Sequence, residues 1–311
     1  MESRDHGVSA QGGVCDGKKD QGVRKPAWLR RSLPKGPVYG RVQHLLKQGG
    51  LHTVCEAAHC PNQFECFSKA TATFLLLGET CTRHCRFCNI GSGSVFPPDP
   101  EEPLRVAEAA AALNLAYVVL TSVTRDDLED GGASFFCETI RAVRRKLPQA
   151  GIEVLIPDFM GSEQALDAVL AAGPDVLNHN LETVRRLYPV VRPEAIYERS
   201  LTLLSRVAVH AAGIPPKSGI MLGLGETEEE ILETLKDLRK AGCRMLTLGQ
   251  YLQPSPAHLP VARFIPPETF ESWKKKALGL GFEAVASAPF VRSSYQAGAF
   301  WTKGKCDMQS C

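Results

Sequence analysis

The chain has 311 residues, 44% hydrophobic and 23% charged, with a net charge of +2. That is the make-up of a soluble globular protein, long enough for one large α/β domain or two ordinary ones. A near-neutral balance excludes a nucleic-acid binder that neutralises many phosphates, though not a local basic patch. No apolar run approaches the roughly 18 residues of a membrane span, so neither nucleic acid nor membrane is an expected partner. The opening stretch MESRDHGVSAQGG has no apolar signal core, and Glu2, Asp5, Asp16 and Asp20 argue against a transit peptide; a cytoplasmic location is expected. In that setting the eleven cysteines point to metal or cluster ligation instead of disulfides.

Residues 1–24 are Gly-rich and nearly free of large apolar side chains, which predicts a disordered tail. Order is expected from Lys25, with a helix over 38–48 and a cysteine-rich stretch of loop and turn after it. From Thr71 short apolar runs suited to buried strands (71–77, 116–121, 152–156, 176–180, 218–222 and 245–248) alternate with helical stretches. The helices are predicted over 104–113, 134–147, 163–172, 196–212 and 228–241. Phe136, Ile140, Val143 and Leu147 share one helical face; Thr227 and Glu230 form a capping box, and Gly242 follows the end of that helix. A helix over 267–279, a strand over 282–285 and a polar tail complete the chain. Alternation of this kind builds a parallel sheet with right-handed crossovers. Six units are fewer than the eight of a closed barrel, so the predicted fold is α/β, a partial (β/α)6 TIM-type barrel open on one side. The predicted organisation is a tail (1–24), an N-terminal extension (25–70), the barrel core (71–285) and a C-terminal extension (286–311).

Six cysteines fall in two sets of three: Cys55, Cys60 and Cys66 in CEAAHCPNQFEC, then Cys81, Cys85 and Cys88 in CTRHCRFC. Three thiolates hold a cube of four irons and four sulfides at three corners and leave the fourth iron open for chemistry. The second set follows the first predicted strand, at the strand end where β/α barrels build active sites. CxxxCxxC with Phe87 before its last cysteine resembles the radical S-adenosylmethionine superfamily. There the open iron is chelated by the amino and carboxylate groups of S-adenosylmethionine, whose reductive cleavage gives a 5′-deoxyadenosyl radical. Zinc asks for four ligands in paired CxxC spacing, which this motif lacks. Taken alone, the first triplet fits a cluster or a zinc knuckle.

Together the triplets resemble the lipoyl synthase family, and the match runs from Lys25 to Gly298 through KPAWLRRSLP, TSVTRDDLEDGGA, LNHNLETV, KSGIMLGLGETEEE, QYLQPSPAHLPV and VRSSYQAG. Phe67-Ser68-Lys69 departs from the family pattern without touching a cluster ligand. The resemblance implies insertion of two sulfur atoms, at carbons 6 and 8, into an octanoyl chain amide-linked to a lysine of a lipoyl carrier domain. It implies that Cys81, Cys85 and Cys88 hold the radical-generating 4Fe-4S cluster, and that Cys55, Cys60 and Cys66 hold an auxiliary 4Fe-4S cluster consumed as the sulfur donor. It also implies Ser294, with Ser293 as the fallback, as the fourth auxiliary ligand; a hydroxyl is a harder, poorer ligand for iron than a thiolate and holds that iron loosely. Implied partners are octanoylated carriers (2-oxoacid dehydrogenase E2 subunits, glycine cleavage H protein), reduced ferredoxin or flavodoxin, and an iron–sulfur carrier protein.

Candidate S-adenosylmethionine contacts are Asn180, Glu182, Ser122 and Arg192, the last by a bidentate fork to the carboxylate. Arg125 and Asp126 follow the second predicted strand on the same face, and the stretch from Lys217 with Gly223 and Gly225 suits close approach of backbone to adenine or methionine; solvated loops or plain turns are equally compatible. Cys137 and Cys243 read as buried inert thiols, no metal is expected at Cys306 or Cys311, and His84 needs no catalytic role. Three competing readings are a biotin synthase-like sulfur inserter, a passive electron carrier and a zinc-stabilised binding module. The paired triplets and the RSSY end disfavour the first, and open-site spacing on a barrel disfavours the second.

Overall fold

The computed structural model describes residues 25–30, 37–69 and 71–299, so the predicted tail over 1–24, Cys306 and Cys311 lie outside the described residues. After a 3-10 turn at Ala27–Leu29, helix α1 (Pro37–Gln48) leads to strand β1 (His52–Thr53) and the short helices α2 (Val54–Ala57) and α3 (Gln63–Ser68). Then come β2 (Thr73–Leu76), the two-residue strands β3 (Thr80–Cys81) and β4 (Gly91–Ser92), α4 (Glu102–Ala112), β5 (Tyr117–Ser122), α5 (Ala133–Lys146) and β6 (Gly151–Leu155). The chain continues through α6 (Glu163–Ala171), β7 (Val176–Asn178), α7 (Tyr188–Val191), α8 (Tyr197–Val209) and β8 (Pro216–Leu222). It ends with α9 (Glu228–Lys240), β9 (Met245–Gln250), α10 (Pro267–Gly279) and β10 (Ala284–Ser287).

The main sheet has the order β1-β2-β5-β6-β7-β8-β9-β10. Only β1 runs antiparallel, against β2; every other neighbouring pair is parallel. Strands β1 and β10 are its two edges, so the sheet does not close. This is the open partial barrel that the alternation predicts, with the six expected strands followed by β10 at the edge, close to the strand expected over 282–285. Pairing is narrowest between β7 and β8, where Leu177 faces Pro216 and Asn178 faces Lys217, and a bridge from Glu182 to Ile220 continues it.

Local chemistry explains the boundaries. Phe136, Ile140 and Val143 are buried and Leu147 packs at the rim of the core, as the 3.6-residue spacing requires. The Thr227 capping box forms: its Oγ1 accepts the Glu230 N–H at 3.3 Å and its N–H donates to Glu230 Oε2 at 2.8 Å. The structure differs from expectation in the cysteine-rich stretch, which is partly helical. Thr53 caps α2 by accepting the Glu56 N–H at 3.3 Å, and a one-turn helix started by a cap is too short to carry a periodic signal. Helix α8 stops at Val209, three residues before its predicted end, because His210 turns extended ahead of Gly213 and two prolines.

Candidate active site

Beyond β2, Leu77 and Gly78 adopt positive φ (68° and 86°), and the buried Glu102 carboxylate accepts the Leu77 N–H at 2.8 Å. The sharp turn delivers Cys81 to the C-terminal mouth of the sheet, where its Sγ accepts the N–H groups of Arg83 and Thr124, each at 3.4 Å. The loop carrying Cys85 and Cys88 is held from three sides. Arg83 donates to both carboxylate oxygens of Asp126 (2.6 and 2.9 Å) and to Asp158 (2.6 Å). The Arg86 N–H donates to the Val191 carbonyl, and the Arg86 carbonyl accepts the Leu259 N–H. His258 Nε2 faces the Cys88 carbonyl at 3.0 Å and so donates, leaving Nδ1 to accept the Ser255 hydroxyl at 2.8 Å. Burial pushes the Cys88 thiol up to about 12 and raises that of Cys85 against the pull of the Arg192 guanidinium. Such thiols ionise when a metal replaces the proton.

The first triplet assembles through helix ends. Cys55 is buried in α2, and burial together with the neighbouring Cys60 pushes its thiol up to about 12. The Cys60 N–H donates to the Cys55 carbonyl at 3.0 Å, and the Cys66 N–H to the Asn62 carbonyl at 2.9 Å. A narrow crevice is lined by all three cysteines, by Thr73, and by Ser294 and Tyr295 from the C-terminal segment. That segment lies across the sheet under several grips. Asn62 Nδ2 donates to the Phe290 carbonyl (2.7 Å), Lys217 Nζ to the Ser293 carbonyl (2.7 Å) and Asn180 Nδ2 to Ser293 Oγ (2.5 Å). Tyr295 Oη reaches the Glu65 carboxylate at 3.0 Å.

Both triplets open on one cavity of about 430 Å³. Cys55 and Cys60 of the first triplet and Cys88 of the second line it, together with Asn180, Glu182 and Ser294 and apolar surface from Leu155, Ile220, Leu252, Pro254 and Val291. Of the predicted cofactor contacts, Asn180 and Glu182 face this cavity. Glu182 takes a left-handed backbone (φ 66°), and burial raises its carboxyl against the opposing pull of Arg192. Ser122 and Arg192 do not line it. Arg192 Nη1 donates to the Asn180 and Leu181 carbonyls (2.8 and 3.0 Å), so it shapes the Asn180 turn from behind.

Sequence reasoning missed three residues that hold the site together. Asn89, next to Cys88, donates to the Ala57 carbonyl at 2.9 Å and so ties one cysteine loop to the other. Asn62 grips the C-terminal segment, and His258 the Cys88 loop. Only their contacts reveal them; an isolated Asn or His in a loop carries no spacing signal.

The donor set fits iron–sulfur clusters and S-adenosylmethionine. All six triplet thiols are free. Buried Asn180 Oδ1 faces the cavity and lacks a hydrogen-bond partner, so an acceptor stands ready for a polar ligand; Ser122 Oγ and Arg192 Nε are likewise unpaired but do not line the cavity. Among the described residues no three His, Cys, Asp or Glu side chains converge on a single-ion site. A cube separates its thiolates more widely than the coordination sphere of one zinc ion does.

Comparison with known proteins agrees with this geometry. Residues 75–238 match the radical SAM superfamily, and residues 6–60 match the N-terminal domain of lipoyl synthase of that family. Lipoyl synthase of Chlorobium phaeovibrioides is 56% identical over 280 residues, covering 90% of this chain and 98% of the relative. That of Desulfotalea psychrophila is 54% identical over 294 residues, covering 94% and 98%. In fold, methylornithine synthase aligns with a TM-score of 0.51 at 15% identity over 83% of each chain. Streptococcus suis SuiB bound to S-adenosylmethionine aligns at 0.54 and 10% identity over 72% of this chain and 54% of its own. With two cysteine triplets on one cavity and this similarity along most of its length, the chain belongs to the lipoyl synthase family of the radical SAM superfamily.

Proposed function

We propose that the chain inserts sulfur at carbons 6 and 8 of an octanoyl group carried on a lipoyl domain, using both cysteine triplets around one cavity. Membership of the radical SAM superfamily implies one 4Fe-4S cluster and S-adenosylmethionine; Cys81, Cys85 and Cys88 are the ligands that fit it. When bound, that pair supplies the carbon radical that opens unactivated C–H bonds. The second cluster, at Cys55, Cys60, Cys66 and Ser294, is a substrate in this reading: its sulfides leave with the product.

The residues of the chain bind, orient and exclude water. Asn180 Oδ1, buried without a donor, is an acceptor for the ammonium or ribose hydroxyls of S-adenosylmethionine, and Asn180 Nδ2 donates to the Glu182 carboxylate at 2.9 Å. The apolar wall of Leu155, Ile220, Leu252 and Val291 suits a hydrocarbon chain and keeps water from a reactive radical. Ser294 beside the first triplet offers a hydroxyl ligand that releases its iron more readily than a thiolate.

The observation that carries the reading is the shared cavity, since a sulfur donor must reach the carbon that has just lost hydrogen. Octanoylated E2 and glycine cleavage H domains are the proposed protein substrates. Reduced ferredoxin or flavodoxin would deliver electrons, and an iron–sulfur carrier would rebuild the donor cluster. No helix among the described residues is long and apolar enough to cross a membrane, and the proposed location is the cytoplasm. The test is iron and sulfide quantification on anaerobically reconstituted protein with mass analysis of an octanoylated carrier. About eight irons and a gain of two sulfurs are expected; about four irons, or an unchanged carrier mass, would overturn the assignment.

A further inference from the structure

At the floor of the barrel, away from the cavity wall, Lys217 and Glu153 form a buried ion pair at 2.7 Å with almost no side-chain exposure on either partner. Glu153 accepts as well from the Tyr117 hydroxyl (2.9 Å) and from Asn178 Nδ2 (3.3 Å). The Lys217 ammonium also donates to the Ser293 carbonyl at 2.7 Å. We infer that Lys217 is a positioning residue for Ser294: held by Glu153, it fixes the Ser293–Ser294 peptide plane and thereby aims the Ser294 hydroxyl at Cys55, Cys60 and Cys66. The inference rests on the reading of Ser294 as a ligand of the donor cluster.

The covalent geometry makes the link direct. The carbonyl that Lys217 holds belongs to the planar peptide whose nitrogen is that of Ser294, so anchoring its oxygen sets where the Ser294 Cα and side chain begin. The other grips act elsewhere on the segment. Asn62 holds the Phe290 carbonyl, Asn180 holds the Ser293 side chain, and Tyr295 reaches Glu65 beyond Ser294. Clearance serves the same end. The Val291 carbonyl crosses Gly249 where any Cβ would overlap it, so the sheet lacks a side chain where the segment enters.

Stability alone is a poor account of the pair. Well-packed apolar residues in place of a buried ion pair are often neutral or stabilising, so a buried lysine and glutamate are better explained by a geometry only they enforce. An apolar side chain at 217 would fill the floor equally well and leave the Ser293 carbonyl without its donor. A ligand that must be loose enough to release iron during turnover yet correctly aimed when the cluster is rebuilt calls for such outside support.

The test removes the ammonium without stranding a carboxylate, in the double variant Lys217→Met/Glu153→Gln of the reconstituted holoenzyme. Release of iron to an anaerobic chelator, followed by Mössbauer spectroscopy, reports on each cluster separately from activity. Loss of an outer partner of a metal ligand typically costs about 10–100-fold, so iron should leave the first-triplet cluster faster by that factor while the Cys81 cluster keeps its parent rate. Ser294→Ala should behave alike, and the combined variant should be no worse than Ser294→Ala alone. Should the double variant not fold, Lys217→Gln/Glu153→Gln keeps an amide hydrogen bond across the floor without reaching the Ser293 carbonyl, and the same acceleration is expected. Parent-like release in the Lys217 variants with fast release in Ser294→Ala overturns the positioning role alone. Parent-like release in both removes Ser294 as a ligand and the inference with it. Multiplicative effects, or equal loss from both clusters, would make Lys217 a general structural residue.

Discussion

Arg83 reaches from inside the CTRHCRFC motif to Asp158, just past the end of β6, at 2.6 Å, with almost no exposure of either side chain. The same guanidinium forks onto Asp126, so one side chain ties the Cys81–Cys88 loop to the ends of two strands. Burial alone would raise the Asp158 carboxyl; Arg83 outweighs it and holds the group at about 2. Removing one partner of a buried pair leaves an uncompensated charge and costs about 3–5 kcal/mol. Arg199, at 3.2 Å from Asp158, offsets part of that. Arg83→Met is therefore expected to lose about 3 kcal/mol in denaturant unfolding and to bind less iron at the Cys81 cluster. Arg83→Lys should fare little better, because a point charge cannot fork between two carboxylates. An unfolding midpoint equal to that of the parent would refute the role.

Gly249 lies on β9 with ordinary negative φ, so its freedom from a side chain serves space and not backbone conformation. An added methyl would overlap the Val291 carbonyl oxygen, a backbone atom that yields only if the C-terminal segment moves. Gly249→Ala is expected to displace the segment that carries Ser294 and to lower sulfur insertion by about 10-fold or more, in line with the loss of an outer-shell support. Far-UV circular dichroism should stay unchanged, since the sheet itself is not altered. Full sulfur insertion by the variant would show that the segment tolerates the shift.

The alternation of apolar runs made the barrel legible, because parallel strands buried on both faces read as short hydrophobic blocks between amphipathic helices. The cysteine spacing singled out the two cysteine-bearing segments for a similar reason: three thiols close together in the chain leave a fixed pattern in sequence. Ser294 could be named only through resemblance, since Arg292-Ser293-Ser294-Tyr295 has no chemistry of its own until it meets Cys55 and Cys60 across the sheet. The Lys217–Glu153 floor was illegible altogether. Its partners are 64 residues apart; Glu153 is a lone charge inside the strand predicted over 152–156, and Lys217 stands just before the one predicted over 218–222, so periodicity pairs them with nothing.

His179 carries a pH dependence of stability. It is fully enclosed between the Ile156 carbonyl, which accepts from Nδ1 at 2.9 Å, and the Ser200 hydroxyl at Nε2, also 2.9 Å. Burial, reinforced by Arg192, lowers its pKa from 6.5 to about 4. The native state therefore keeps His179 neutral below pH 6.5, while the unfolded chain takes up a proton. Stability from this group is present above pH 6.5, falls by about 1.4 kcal/mol per pH unit below it, and levels off near pH 4. Asp158 adds its own loss only further down, below 3.8. Urea unfolding of the parent between pH 6 and 4.5 should show about one proton more uptake than His179→Gln. Equal slopes would mean that His179 protonates in the native state.

The two triplets should separate when each is damaged alone. Cys85 sits in the loop that Arg83, Arg86 and His258 hold, and its replacement by alanine removes one of the three cysteines proposed to anchor the S-adenosylmethionine-binding cluster. Cleavage of S-adenosylmethionine by Cys85→Ala is expected to fall to background. Cys60 lines the same cavity as Ser294. Cys60→Ala should still cleave S-adenosylmethionine within about threefold of the parent, a change of less than 1 kcal/mol in barrier, and yet add no sulfur to the carrier. Asn89 links the two loops through the Ala57 carbonyl, so the comparison needs matched unfolding curves for both variants. With folding matched, loss of cleavage in Cys60→Ala equal to that in Cys85→Ala would contradict the division of labour. Retained cleavage with an octanoyl carrier of unchanged mass is the outcome that the proposed pair of clusters demands.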